Sequence, residues 1–359
     1  MIIFVNNYII ITLSNLKFER VLMAILITGG AGYIGSHTAV ALLKKNYEVV
    51  IIDNLVNSHY SVIEKIQKIT GKTIKFYEGS ISNKSLLHEI FSKNRIESVL
   101  HFAGLKSVAE STRLPLHYYN TNVSATLNLV EAMLKNDVCN FIFSSSATVY
   151  GEPDNIPLNE SSRVGNTTNP YGTSKLMVEK ILQDISCSNQ KFRTTILRYF
   201  NPVGAHKSGE IGEDPNGTPN NLMPYICQVA IGKRKELFIY GNDYKTKDGT
   251  GIRDFIHVMD LAEGHIAALK KCDNGSNYKI FNLGTGKGYS VLDLISAFER
   301  VTSVTIPYVI TSRRPGDIAE CWSDPKKAFL ELGWKAMYNL DDMVRDAWNW
   351  QKKNPNGYK

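Results

Sequence analysis

A chain of 359 residues is long enough for two domains, or for one large domain with a lobe attached, and its 43% hydrophobic and 21% charged content is that of a soluble globular protein. The net charge of +7 comes without a dense Lys/Arg block, which argues against a nucleic-acid surface. Cys139, Cys187, Cys227, Cys272 and Cys321 stand apart with no CxxC and no His/Cys cluster, so neither a disulfide framework nor a metal site is expected, and a reducing cytoplasm is.

The chain opens on MIIFVNNYIIITLSNLKFERVL. Its apolar run is broken by Asn6 and Asn7 and falls short of the ~20 residues of a membrane span. It also lacks the basic n-region and small-residue cleavage site of a signal peptide, so no membrane association is expected. Met23 directly precedes the apolar run AILIT, and the natural start is expected there, with residues 1–22 an upstream extension.

From Ala24 onward short apolar runs alternate with helical periodicity. AILIT, EVVIID, TIKFYEG, ESVLHFAG, NFIFSSS and RTTILRYFN read as buried strands, and SHTAVALLKK, KSLLHEIFSK and TLNLVEAMLK as amphipathic helices. Such alternation predicts an α/β fold of Rossmann type, a doubly wound parallel sheet covered on both faces. Past about Pro202 the rhythm loosens through GAHKSGEIGEDPNGTPNN and continues as mixed helix and strand. The expected organisation is a dinucleotide-binding domain over residues 23–202 and a smaller mixed α/β substrate lobe over 203–359, with some interleaving of chain.

The first of these strands runs into Gly29, Gly30, Ala31, Gly32, Tyr33, Ile34 and Gly35, which satisfy both GxGxxG and GxxGxxG before a helix begins. Glycine there permits a tight turn and lets backbone approach a pyrophosphate, which the helix N-terminus then receives. The second strand ends on Asp53, whose carboxylate accepts from ribose hydroxyls and repels a 2′-phosphate. No arginine neighbours it in IIDNLVN, so NAD is expected rather than NADP.

Further on, NFIFSSS ends with Ser144, Ser145 and Ser146, and NPYGTSK places Tyr171 and Lys175 four residues apart on the helix that follows. An i,i+4 pair shares a helix face. Tyrosine is a poor base near its ordinary pKa of about 10. A neighbouring ammonium and a positively charged nicotinamide both favour the phenolate, which can then take a proton from an alcohol as hydride leaves its carbon.

TGGAGYIGSH, FAGLKSV, SSSATVYG, YGTSK, LRYFNPVGAH, PNNLMPYI, YGNDYKTKDGTGIRDFIHVMDLA, NLGTGKGYSV and RRPGD together resemble the UDP-glucose 4-epimerase family, within the extended short-chain dehydrogenase/reductases. The resemblance spans nearly everything from Met23 to Tyr358. It implies reversible inversion at carbon 4 of a UDP-hexose with tightly held NAD, through a 4-keto sugar that turns over before hydride returns. Carried over, Tyr171 is the base and acid, Lys175 holds the nicotinamide ribose and lowers the tyrosine pKa, and Ser146 hydrogen-bonds the sugar. On the cofactor side the family implies Tyr33, Ile34, Asp53, Asn54, Ser80, Ile81, Phe102, Ala103, Gly104 and Lys106 beside the glycines. On the substrate side it implies Asn201, Asn221, Leu222, Tyr240, Arg253, Arg314, Asp317 and Cys321. Arg253 and Arg314 suit a diphosphate, because arginine's fork matches its geometry. A homodimer through a helical bundle is also implied, with TLNLVEAMLK contributing.

Two positions depart from or vary within the pattern. Ser80 stands where the family usually has an aspartate that accepts from the adenine amino group, so weaker NAD retention is expected. Cys321 occupies a position that is a bulky tyrosine in some members; a small residue there is expected to admit N-acetylated UDP-hexosamines, although a buried cysteine can equally be core packing. Ala147, Thr148 and Val149 offer no acidic pair, which argues against a 4,6-dehydratase. The RYFNPVGAH to RRPGD run favours an epimerase over a decarboxylase. A catalytically dead NAD-sensing scaffold would be expected to lack Tyr171 or Lys175, and both are present.

Overall fold

The computed structural model describes residues 2–5, 8–11, 23–272, 275–314 and 316–358. Strands β1 (Ile2–Val5) and β2 (Tyr8–Ile11) pair antiparallel; the rest of the expected upstream extension, residues 1, 6–7 and 12–22, lies outside the described residues.

All six strands expected in the first half form. They are β3 (Ala24–Thr28), β4 (Glu48–Asp53), β5 (Lys75–Glu78), β6 (Ile96–His101), β7 (Asn140–Ser146) and β8 (Arg193–Tyr199). Every residue of β3 is buried, as a central strand covered on both faces requires. β5 differs from expectation: it is the edge strand and stays partly exposed, because a neighbour pairs on one side only.

Between the strands run α1 (Tyr33–Lys44), α2 (Ser61–Thr70), α3 (Lys84–Lys93), the short α4 (Val108–Arg113) and α5 (Pro115–Tyr119), α6 (Ala125–Lys135) and α7 (Pro170–Ser188). A π-helical turn, Asn120–Ser124, joins α5 to α6. Alternate strand residues face opposite layers. Ile25, Ile27 and Ile51 join one core with α1 and α2, whereas Leu26, Val50 and Ile52 join the other with α3, α6 and α7.

Beyond β8 the chain enters the lobe through β9 (Asn201–Val203), α8 (Leu222–Ala230), β10 (Leu237–Tyr240), β11 (Ile252–Arg253) and β12 (Phe255–His257). It then returns: α9 (Val258–Lys270) packs on α1, and β13 (Tyr278–Leu283) pairs parallel with β8. The seven-stranded parallel sheet therefore has the order β13-β8-β7-β6-β3-β4-β5, completed by a strand from the second half. β14 (Tyr289–Ser290), α10 (Val291–Thr302), β15 (Tyr308–Thr311), β16 (Glu320–Cys321) and α11 (Leu340–Lys353) finish the lobe around its own core of Met223, Ile226, Phe298 and Val344. Strand order reverses at β3, so a crevice opens between the carboxyl ends of β3 and β6, the place where open α/β sheets take ligands.

Candidate active site

The glycine turn has the shape a dinucleotide needs. Gly29 has φ +70°, and a Cβ there would stand 2.7 Å from the Ala103 nitrogen in the loop beyond β6. A Cβ on Gly35 would strike the Gly29 carbonyl. The turn is thus pressed against its neighbours as tightly as backbone allows. The first turn of α1, capped by Gly32, carries no acidic residue, which leaves its N–H groups and positive dipole end available to an anion.

Asp53 is 8% exposed. Its Oδ2 accepts from the Ala31 nitrogen at 3.0 Å, and its Oδ1 accepts from the Leu55 nitrogen at 3.0 Å and the Ser58 hydroxyl at 2.9 Å. The carboxylate therefore ties the glycine turn to the loop after β4. Asn54 follows it there, and Ser80 and Ile81 follow β5 on the same sheet edge. Phe102, Ala103, Gly104 and Lys106 follow β6, with the Phe102 nitrogen donating to the Thr28 carbonyl at 3.0 Å. The Ser80 hydroxyl accepts from the Ser82 nitrogen at 3.1 Å and the Ser82 hydroxyl at 2.8 Å, so local bonds already occupy it. Parallel register brings these segments to the carboxyl ends of neighbouring strands, and the glycine turn before a helix N-terminus free of acidic residues, with Asp53 ending β4, is a donor set that fits NAD.

NPYGTSK folds as its order dictates. The Asn169 side chain caps α7 by accepting from the Gly172 nitrogen at 2.9 Å, and Pro170 takes the first helical position, where its missing N–H costs nothing. Tyr171 then faces the end of β7. Burial pushes its phenol up, while the Ser146 hydroxyl, donating toward the phenol oxygen, and the charge of Lys106 pull it down. Lys175 is 5% exposed; its Nζ donates to the Ser144 carbonyl at 2.8 Å and lies 4.8 Å from the centre of the Phe143 ring. Burial lowers its pKa to about 8, against an upward push from Glu179.

In the lobe, Asn221 precedes α8 and donates to Glu213 at 2.6 Å, and Lys106 pairs with the same carboxylate oxygen at 2.9 Å. A residue expected on the cofactor side and one expected on the substrate side thus share one nearly buried anion, its side chain 8% exposed. Leu222 begins α8, and Asn201 lies in β9. Arg253 pairs in register with Cys321, and its Nη1 donates to the Ile252 carbonyl at 2.8 Å. The Arg314 guanidinium lies 4.8 Å from the centre of the Tyr240 ring and donates to Asp317 at 2.9 Å. Cys321 is 8% exposed and packs with Val149, Tyr150 and partly buried Ala147, in the turn directly after Ser146. That packing joins the lobe to the turn that follows Ser146.

Three contributors escape a motif reading. Asn122, in the π-helical turn, accepts from the Leu105 nitrogen at 2.8 Å and donates to the Ser174 hydroxyl at 3.0 Å, bracing the loop after β6 against α7. No sequence signal announces it. Glu213 sits in a glycine-rich loop without periodicity. Glu179 was within reach, since it lies four residues beyond Lys175 on the same helical face.

The chain matches the NAD dependent epimerase/dehydratase family over residues 25–284. It belongs to that family. It is 59% identical over 337 residues to the UDP-glucose 4-epimerase of Pasteurella multocida (strain Pm70), covering 94% of this chain and 100% of that protein. Among solved structures it resembles UDP-glucose 4-epimerase from Bifidobacterium longum in complex with NAD+ and UDP, with a TM-score of 0.91 and 51% identity over 93% of this chain and 100% of that one. It also resembles the UDP-Glc/GlcNAc 4-epimerase of Campylobacter jejuni, with a TM-score of 0.80 and 39% identity over 92% and 99% of the respective chains.

Proposed function

We propose that this member of the epimerase family interconverts UDP-glucose and UDP-galactose by reversible inversion at carbon 4, using resident NAD. The observation that carries the reading is the Ser146 hydroxyl donating toward the Tyr171 phenol, with Lys175 buried one turn on along the same helix and bonded to the Ser144 carbonyl, at the carboxyl ends of the sheet. When bound, NAD supplies the acceptor and donor of hydride. Tyr171 exchanges a proton with the 4-oxygen of the sugar, and Ser146 orients that oxygen. Lys175 holds the nicotinamide ribose. Arg253 and Arg314 hold the diphosphate, so most binding energy comes from the part of the substrate that does not react, and the sugar ring stays free to turn. Asn201, Asn221, Leu222, Tyr240 and Asp317 complete the nucleotide's surroundings.

The purified protein should convert UDP-galactose to UDP-glucose without added NAD, read by a coupled dehydrogenase after quenching. Net production of reduced cofactor, or loss of water from the sugar, would defeat the reading. Cys321 supports acceptance of UDP-N-acetylglucosamine and UDP-N-acetylgalactosamine as well, because the small side chain sits beside the turn that carries Ser146. Wild type that turns over neither sugar would remove that extension.

Residues 23–202 supply the dinucleotide half and residues 203–359 the UDP-sugar half, with α9 and β13 returned to the first. Leu116, Leu127, Leu134 and Met177 on α5, α6 and α7 are 77%, 41%, 38% and 44% exposed, and this apolar surface supports a homodimer built on those helices. Sedimentation of wild type and Leu127→Glu tests it; a monomeric wild type defeats it. Among the described residues no helix is long and apolar enough to cross a membrane. The scattered, odd-numbered cysteines, with no CxxC spacing, support a cytoplasmic location.

A further inference from the structure

Beneath the site lies an ion pair that the proposed chemistry does not use. Glu179 of α7 and Arg198 of β8 are each 2% exposed. The arginine donates Nε to Oε1 at 3.1 Å and Nη2 to Oε2 at 2.7 Å, a bidentate fork. The same Oε1 accepts the Ser145 hydroxyl at 2.5 Å. Ser145 stands between Ser144, whose carbonyl takes the Lys175 ammonium, and Ser146, whose hydroxyl meets Tyr171. The guanidinium carbon also lies 4.8 Å from the centre of the Tyr150 ring, in the turn after Ser146, and Tyr150 donates to Asn282 of β13 at 2.6 Å.

Removing two charges from water costs several kcal/mol per ion, so a buried pair contributes little net stability compared with well-packed apolar residues. What this pair does supply is geometry and charge at one place. Helix α7 carries Tyr171 and Lys175, while β7 carries Ser144 and Ser146. A single carboxylate, on the same helix face as Lys175, bonds to both β7 and β8.

We propose that Glu179 is a positioning residue for this site: its carboxylate clamps α7 to the ends of β7 and β8 and supplies the buried counter-charge to the Lys175 ammonium. The charged and titratable groups coupled to that ammonium are Glu179 on α7 and His101 on β6. His101 is held neutral by its own burial and by the charge of Lys175, and Arg198 is matched by Glu179. The anion acting on Lys175 is Glu179, and it opposes a burial effect that would otherwise strip the proton at lower pH. The kinetic consequence rests on the epimerase reading; the electrostatic one does not.

The test compares wild type, Glu179→Gln, and the paired replacement Glu179→Leu with Arg198→Met. Lys175 is followed directly by 13C NMR of its Cε in lysine-labelled protein, assigned with Lys175→Arg, alongside thermal melting and the pH profile of kcat. The wild-type midpoint is expected near pH 8, where the lysine loses its proton. In Glu179→Gln it should fall by ~1 pH unit or more, and the alkaline limb of kcat should move with it. Glu179→Gln should also melt earlier, because Arg198 is left buried without its partner. The paired replacement should recover the melting temperature and keep the lowered midpoint. An unmoved midpoint in Glu179→Gln overturns the proposal, as does a paired variant that recovers both stability and midpoint. Normal titration in a wild type that does not epimerise would instead sink the epimerase reading and leave the electrostatic role standing.

Discussion

The two walls of the cleft rest on different physics. The wall at the ends of β3, β4, β6 and β7 is backbone and buried side chain, set by parallel register and by bonds such as Asp53 to Ala31 and Lys175 to Ser144. The facing wall is made of long, partly exposed side chains held by short-range pairs: Arg314 with Asp317, Arg313 with Asp243, Arg253 on neighbouring carbonyls. Exposed pairs of that kind are worth ~1 kcal/mol or less, so an anionic ligand of the kind proposed would displace them at small cost. Rearranging the first wall would mean breaking the sheet. One wall is held by the sheet; the other by surface pairs that can rearrange without disturbing it.

The sharpest way to break that contrast is Tyr171→Phe, which keeps the packing and removes the proton carrier. We expect kcat to fall by ~10²–10⁴-fold in the coupled assay, with melting unchanged. A loss under tenfold would show that the rigid wall does not hold the base. Gly35→Ala should come next. Its Cβ meets the Gly29 carbonyl, and overpacking of this order costs ~1–3 kcal/mol, read as a lower melting temperature and loss of co-purifying NAD. On the yielding wall, Arg314→Ala should raise KM for UDP-hexose by ~10–100-fold while kcat changes little, since a charge-assisted bond contributes about 1.5–3 kcal/mol. Equal loss in kcat and kcat/KM would place Arg314 with the rigid wall instead. Cys321→Tyr, at the seam between the walls, should lower turnover of N-acetylated UDP-sugars several-fold relative to UDP-glucose, in side-by-side assays. The smallest effect is expected from Ser80→Asp. It adds a charged acceptor at the far end of the dinucleotide crevice, worth under ~1 kcal/mol, visible as slower NAD loss on dialysis.

The contrast also explains what a reader of the sequence could see. The glycine turn, Asp53, Ser146, Tyr171 and Lys175 are legible because each sits at a strand end or on one helix face, where local periodicity dictates direction. The six strands of the first half were legible for the same reason, although the exposure of β5 was not, because edge position depends on strand order. The substrate-side residues were legible only through family resemblance. Arg314 or Arg253 alone is indistinguishable from a solvated surface charge.

The sequence by itself determined the local chemistry of this protein: a turn that only glycine can make, a capped helix that aligns a phenol with an ammonium, and strands that end in hydroxyls. Tertiary structure alone decided the pairings that span the chain. It set Glu213 between Lys106 and Asn221, brought Ser145 and Arg198 to Glu179, and returned β13 to complete the sheet. Those contacts depend on crossovers and strand order, and side-chain periodicity carries no record of either.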